Sequence, residues 1–497
     1  MSTGEGESIG RNAVFALLTQ VATGAFTAVI TIFLVRELGP SDYGTFALAL
    51  SITSLLSIVT GTAPGASAGR FLAERHGDWG AVTGILGMVI PFRLLMSGAV
   101  AVALFAAAGL IANAYDAPQL ETPLRVLAIA YFGQTVFLFI RTVFISLRRT
   151  PRAFALVISE SAVEFTAVIS IVSLGGGVTG AAAGRSIGYA FGALLGVVLL
   201  QRMLGRSPIF GTGPSPVARR VFLGYASTLL VVVVTDAVFA QLAPLMLGAY
   251  LTTAAVGFFT APATLLPFMS YLGAALEQGI APRMAKHERE ERPTAAHELG
   301  LKYMVIAQAT ATPFLVVWAA PITELLFGDG YGESADVLRL LAPVAFLVGV
   351  NPLFQSPISY AGEARRRIPA SIAALAVAAT LNAILIPDIG VNGAAIGASA
   401  GYVVYVGWHA KIARDVLGID LGPLAVTLLK TAVAACLAGG VLALIGTDPS
   451  VGGWVAGILG APAAYLSALV LLRELDRSDL TRAVQAPLRM LRGRPSG

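Results

Sequence analysis

The chain has 497 residues, 56% of them hydrophobic and only 12% charged, with a formal net charge of +5 and a mean hydropathy of +0.79. Soluble domains usually carry about 25% charge, and the apolar residues here run in stretches of roughly 20, enough to cross ~30 Å of hydrocarbon at 1.5 Å per residue. A soluble domain is excluded, and an all-α polytopic membrane protein is predicted. A single cysteine, Cys436, inside an apolar run rules out a disulfide framework or a thiolate metal site within one chain.

Met1–Gly10 is polar and lacks the basic-then-apolar order of a cleaved signal peptide, so the first apolar run is read as a retained span. Fourteen spans are predicted: Ala13–Val35, Thr45–Thr62, Val82–Leu110, Leu124–Leu147, Phe154–Leu174, Val178–Leu200 and Val221–Leu247, then Ala254–Ile280, Leu301–Leu326, Val337–Ser359, Ile368–Ile386, Gly393–Ala413, Leu424–Ile445 and Val455–Leu472. Helix breakers separate several of them, among them Leu38-Gly39-Pro40, Gly175-Gly176-Gly177, Gly328-Asp329-Gly330 and Pro387-Asp388. With the amino terminus on the cytoplasmic side, the inner segments and tail hold 26 Lys and Arg residues against three outside, Arg36, Arg125 and Arg339. That asymmetry predicts both termini in the cytoplasm of a cell membrane protein.

GVTGAAAGRSIGY, Gly177 to Tyr189, recurs as GVNGAAIGASAGY, Gly390 to Tyr402, with nine of thirteen positions identical and an offset of 213. The same offset carries Gly44 onto Gly257 and Arg70 onto Arg283, so the chain reads as a duplicated unit. Six spans per copy is an even number, which makes a parallel repeat with a cavity expected between lobes near the midplane. The expected organisation is an N-terminal six-helix lobe (1–210), a C-terminal six-helix lobe (211–420), an appended helix pair (421–475) and a basic tail (476–497). Glycines at four-residue spacing, Gly180, Gly184 and Gly188, read as small-residue helix packing. In the tail, Leu480, Val484, Leu488 and Leu491 allow a partly amphipathic helix on anionic headgroups or a disordered end.

No GxxxxGK[ST] run occurs, and the four histidines fall in or near inner loops without ligand spacing. No metal, no cofactor, no catalytic residue and no nucleic-acid partner are expected. Charges at membrane depth are functional candidates by default because each costs a few kcal/mol. Arg93, Arg141 and Arg185 are candidate cavity cations, since the planar guanidinium binds phosphate oxygens in pairs and stays charged. Glu160 and Glu164 share one face of span five at a depth overlapping Arg141, either as a structural ion pair or as a switch that releases Arg141. Asp236 stands mid-span where the first copy has Thr23, which suggests cation or proton coupling. Glu277 is a further coupling or gating carboxylate, and Lys430 is expected to snorkel.

At LVRELGPSDYGTFALALSI, Leu34 to Ile52, and at NAILIPDIGVNGAAIGA from Asn382, the chain resembles the polysaccharide transporter family. This is the Wzx-like branch of the multidrug/oligosaccharidyl-lipid/polysaccharide flippase superfamily. The resemblance covers essentially the whole chain. It implies translocation of an undecaprenyl-pyrophosphate-linked oligosaccharide between leaflets by alternating access, with membrane lipids and the polysaccharide polymerase machinery as partners. It also implies cavity arginines near the cytoplasmic entrance, a location that Arg70 and Arg283 match. Positive-inside anchoring is the plainer account of those two. Two other classes compete. An ion-coupled multidrug exporter would need an acidic cavity, and a membrane glycan polymerase or ligase would need an extended outer loop.

Overall fold

A computed structural model describes residues 3–57, 63–205, 215–271, 294–361 and 363–475, and among these every regular element is helical. The helices are α1 (Thr3–Ser57), α2 (Ala63–Glu74), α3 (Trp79–Ala114), α4 (Glu121–Ser146), α5 (Thr150–Ile171), α6 (Gly177–Leu204), α7 (Arg219–Tyr250), α8 (Thr253–Ala263) and α9 (Thr294–Ala309). They continue as α10 (Thr312–Val317), α11 (Ala319–Phe327), α12 (Ser334–Leu340), α13 (Ala342–Val350), α14 (Pro352–Tyr360), α15 (Arg367–Ile389), α16 (Val391–Leu417), α17 (Leu421–Ile445) and α18 (Val451–Leu471).

Ten helices among the described residues are long and apolar enough to cross a membrane, or eleven if the bent pair Ser334–Leu340 and Ala342–Ser359 is one span. Fourteen separate spans are not what such a count returns, because glycine folds some pairs back without a loop. The 40-residue stretch Leu18–Ser57 is broken at Gly39 (φ 72°) followed by Pro40, and the 55-residue stretch Thr150–Leu204 at Gly175 and Gly177 (φ 88° and 52°). An L side chain rarely adopts that backbone, and proline cannot donate its amide, so the helix stops and reverses there. Gly390, the repeat equivalent of Gly177, has φ 63° and makes the same reversal between α15 and α16.

The reversals at Gly175–Gly177 and at Gly390 are each followed by a glycine ladder. A Cβ on Gly184 would meet the Val168 backbone at 2.6 Å, one on Gly188 the Glu164 Cβ at 2.5 Å, and one on Gly192 the Glu160 Cγ at 2.7 Å. In the second copy Gly393 lies against Leu385 and Gly401 against Ala374 and Ala378. The repeated motif is thus helix packing, in which missing side chains let two backbones approach.

The two sequence copies meet at the arginine-poor end. Gly44 in α1 packs on the carbonyl of Thr253, and Gly257 in α8 packs on the carbonyl of Pro40. Because Pro40 and Thr253 are also 213 residues apart, this crossing is symmetric under the repeat. Ser41 and Thr253 hydroxyls are 3.3 Å apart beside it, and Arg36 donates to the carbonyls of Leu325 and Leu326 at the end of α11. At the arginine-rich end, Phe71 of α2 packs on Phe222 and Tyr225 of α7.

The last pair, α17 and α18, is held to the second copy by Trp318, fully buried, whose indole donates to the carbonyls of Leu442 and Gly446. Tyr465 donates to the Ile306 carbonyl at 2.8 Å. Lys430 extends to Glu474, just beyond the end of α18, and pairs with it at 2.8 Å, as Lys302 does at 3.2 Å. Large apolar side chains such as Leu95, Val102, Leu110, Leu429 and Leu444 are exposed on the flanks, the arrangement a lipid environment accepts and water does not.

Candidate functional site

Helices α1, α4, α5 and α6 surround a cavity of about 310 Å³ lined by Thr27, Tyr43, Arg141, Glu160, Glu164 and Arg185 among others. It lies almost wholly within the first copy, with Thr264 contributed by the second. Tyr43 and Phe46 line it one turn or less from Gly44 of the glycine crossing. Arg141 also lines two further cavities, one of about 340 Å³ shared with Arg93 and one of about 400 Å³ shared with Gln20, Thr150 and Tyr271. Arg141 is therefore common to all three.

The structure pairs the charges differently from the expectation. Glu164 is bound not by Arg141 but by Arg185, at 2.8 Å, and Arg185 also donates to the Tyr189 hydroxyl at 2.9 Å. Gln134 donates to the same hydroxyl at 3.0 Å. Arg185 therefore has an acidic partner in its own copy. Arg141 Nε makes no hydrogen bond among the described residues, nor does Glu160 Oε1. Glu160 is only 4% exposed, and its other oxygen accepts from Ser161 at 3.2 Å. Three guanidinium groups share these walls with two carboxylates, so the lining is mixed in sign.

Arg93 is buried in the wall, donating to the Thr135 carbonyl at 3.0 Å with its guanidinium carbon 4.7 Å from the Phe139 ring centre. On one side of it lies the shared cavity with Arg141, and on the other a smaller apolar one of about 160 Å³. Arg70 is on the surface of α2, paired with Glu74 at 3.0 Å and set 4.6 Å over the Tyr225 ring. An exposed pair of that kind contributes little to stability. Arg283 and Glu277 lie outside the described residues, as do positions 476–497 of the tail.

Asp236 is placed apart from this cluster, half-buried in α7. It accepts from Ser371 at 2.8 Å and from Tyr405 at 3.2 Å. Gln355 donates to Tyr405 at 2.7 Å, and Arg367 contacts His409 Nε2 at 3.2 Å. His409 is fully buried within α16, two turns from its inner end. Sequence reading missed this group around Asp236; the available signal was Tyr405 and His409, one turn apart, where the first copy has Gly192 and Gly196. No group of three or more His, Cys, Asp or Glu residues suited to a metal is found among the described residues.

Comparison with solved structures defines the fold class first. The chain is similar to a lipid II flippase, MurJ, in an inward closed conformation, with a TM-score of 0.71, 12% identity, and 93% of this chain and 99% of that one covered. It is also similar to a multidrug resistance MATE family transporter of the MOP superfamily in an inward-facing conformation, at TM-score 0.62 and 14% identity, covering 82% and 99%. A MOP superfamily transporter from Pyrococcus furiosus, described by a reversed polarity of its binding pocket, matches at TM-score 0.58 and 14% identity, covering 82% and 96%. The fold is that of MOP-superfamily transporters. A family model described as polysaccharide biosynthesis protein matches residues 9–287, more than half of the chain. The chain is a multi-pass membrane protein and belongs to that family. No curated protein matches it.

Proposed function

We propose that this protein moves a lipid-linked oligosaccharide of the undecaprenyl-pyrophosphate type from the inner to the outer leaflet of the cytoplasmic membrane, with no chemical step of its own. Its two copies of the repeat act as lobes of an alternating-access transporter, with both termini cytoplasmic. The glycine crossing of α1 on α8 closes the outer end, and the cavities around Arg141 receive the substrate from the inner end. The observation that carries this reading is Arg141, a cation at membrane depth whose Nε has no hydrogen-bond partner among the described residues and which lines three cavities. A diphosphate supplies the acceptors it lacks. Arg93 adds a second cation to one of those cavities, while Arg185 with Glu164 holds the wall. Arg70 and Arg283 serve entry from the cytoplasmic side. Asp236, with its hydroxyl donors, is the coupling carboxylate, and Glu277 a further gating one. Polymerase machinery on the outer face consumes the product.

A multidrug exporter of the same superfamily is the second reading, favoured by the likeness to MATE transporters and by the uncompensated oxygen of Glu160. Both readings meet one experiment. Outer-leaflet accessibility of the lipid-linked glycan is measured in cells carrying wild type or Arg141→Ala at matched membrane levels, alongside efflux of a cationic dye. The expected result is a drop in accessible glycan of at least tenfold with dye efflux absent throughout. Unchanged glycan translocation would sink the role given to Arg141, and Arg141-independent dye efflux would establish the exporter.

A further inference from the structure

Arg141 and Glu160 bear opposite charges, line the same cavity, and each keeps one buried polar atom without a partner among the described residues. Glu160 is hemmed by Ser161 on its own helix, by the Glu164 carboxyl one turn on, which it contacts through its side chain, by Arg185 across the hairpin and by the charge of Arg141. Arg185 is engaged by Glu164 and Tyr189, and Ser161 reaches only Oε2. Leaving a buried donor or acceptor unmade costs as much as the bond would have contributed or more, so a cavity wall that retains two of opposite sense is suited to a ligand presenting both.

A phosphate ion alone cannot do this. Its oxygens satisfy Arg141 but bring a second anion toward Glu160, which needs a donor. A glycosyl phosphate carries both features in one molecule. Its non-bridging oxygens accept, and a hydroxyl or amide N–H on the sugar next to the phosphate donates, only a few bonds away. We propose that Glu160 binds the first sugar of the lipid-linked glycan while Arg141 holds the adjoining phosphate, so that the cavity selects the glycosylated carrier and rejects the bare one. This rests on the flippase reading and adds to it the part of the substrate that is read. Sites built on buried polar groups reject ligands that leave those groups unpaired far better than apolar pockets reject a missing methylene, and like charge adds a repulsive element against the wrong ligand. The carboxylate would then keep the carrier, once stripped of its glycan, from being carried in place of the loaded form.

The test is binding to the purified full-length protein in nanodiscs. The two probes are undecaprenyl pyrophosphate and undecaprenyl-pyrophosphoryl-N-acetylglucosamine. Wild type should favour the glycosylated probe by about tenfold, the scale of one hydrogen bond to a charged group. Glu160→Gln should weaken the glycosylated probe, strengthen the bare one, and so erase most of that ratio, whereas Arg141→Gln should weaken both alike. Glu160→Asp, which keeps the charge but withdraws it by one carbon, should lose the sugar contact and still reject the bare probe. Thermal unfolding in the same nanodiscs confirms that each variant is folded. If Glu160→Gln shifts both probes by the same factor, Glu160 merely tunes the arginines and the proposal falls. If neither probe binds wild type, it is the lipid-carrier reading that fails, and this one with it.

Discussion

Where the first copy of the repeat carries Arg93, Arg141, Glu160, Glu164 and Arg185, the second carries Ile306, Phe354, Ala373, Val377 and Ala398. Where the second carries Asp236, Arg367, Ser371, Tyr405 and His409, the first carries Thr23, Phe154, Ile158, Gly192 and Gly196. The exchange is steric as well as electrostatic. In the first copy Gly192 clears space beside Glu160, since a Cβ there would stand 2.7 Å from its Cγ. In the second, alanine replaces the glutamate and tyrosine replaces the glycine, and the Tyr405 hydroxyl extends to Asp236. One scaffold thus carries two polar groups at different places: a mixed-charge set lining open space, and a set whose central carboxylate already has two donors. Most of the glycines that hold backbones together are kept in both copies, whereas the charges at membrane depth are not.

The largest effect should come from breaking what the copies share. In Gly44→Val the new side chain would occupy the position of the Thr253 carbonyl, so the crossing could not close. A disulfide between Ser41→Cys and Thr253→Cys, whose native hydroxyls are 3.3 Å apart, should form readily in an otherwise wild-type chain and fail to form in Gly44→Val. Equal cross-linking in both would show that the helices do not meet there. Gly257→Val should behave the same way, because it strikes the Pro40 carbonyl.

A smaller effect tests what the copies do not share. Arg185→Ala leaves the Glu164 carboxylate, one-tenth exposed, without its cation. Breaking a buried pair from one side costs about 3–5 kcal/mol, whereas replacing both members with apolar residues is often neutral. Thermal unfolding should therefore show a large loss for Arg185→Ala and recovery in Arg185→Ala/Glu164→Val, which installs the apolar pair that the second copy has at these positions. A double variant no better than the single would mean that Arg185 stabilises through Tyr189 instead.

Much of the architecture was legible because lipid forces it: apolar runs had to be helices, and the repeated glycines had to be contacts. The pairing of charges was not, since hydropathy gives depth along a helix but not its rotation. Overlapping depth sets Arg141 beside both Glu160 and Glu164, and it does line a cavity with them, but it does not foretell that Glu164 pairs with Arg185. The better guide lay in the glycine ladder. Extended past Gly188 to Gly192, it sets the register of the α5–α6 hairpin and brings α6 alongside Glu164 and Glu160, which makes Arg185 the nearer cation. The group around Asp236 was hidden for another reason. Its donors come from α15 and α16, more than 130 residues along the chain, and serine and tyrosine carry no charge to draw notice.

The smallest effect concerns the helix pair outside the repeat, which Trp318, Tyr465 and Lys302 fasten to the second copy. Lys302, which helps to bind it, stands where the first copy has Val89, so the asymmetry extends to this junction. Glu474, just beyond the end of α18, is 7% exposed, and burial alone would push its carboxyl up. Hydrogen bonds from Lys430, Thr427 and Lys302 outweigh that and hold it below the ordinary glutamate value. A carboxyl depressed by folding stabilises the fold fully above its unfolded value, about 4.3, and the contribution is lost as pH falls through the folded value. Glu474→Gln should lower stability at pH 7 by on the order of 1–2 kcal/mol, since a neutral amide keeps the shape but not the charge. The gap between wild type and variant should close as the pH of a thermal unfolding series is taken from 6 toward 3. A gap that stays constant over that range would mean the clamp holds by packing rather than charge, and that Trp318 and Tyr465 fasten the pair.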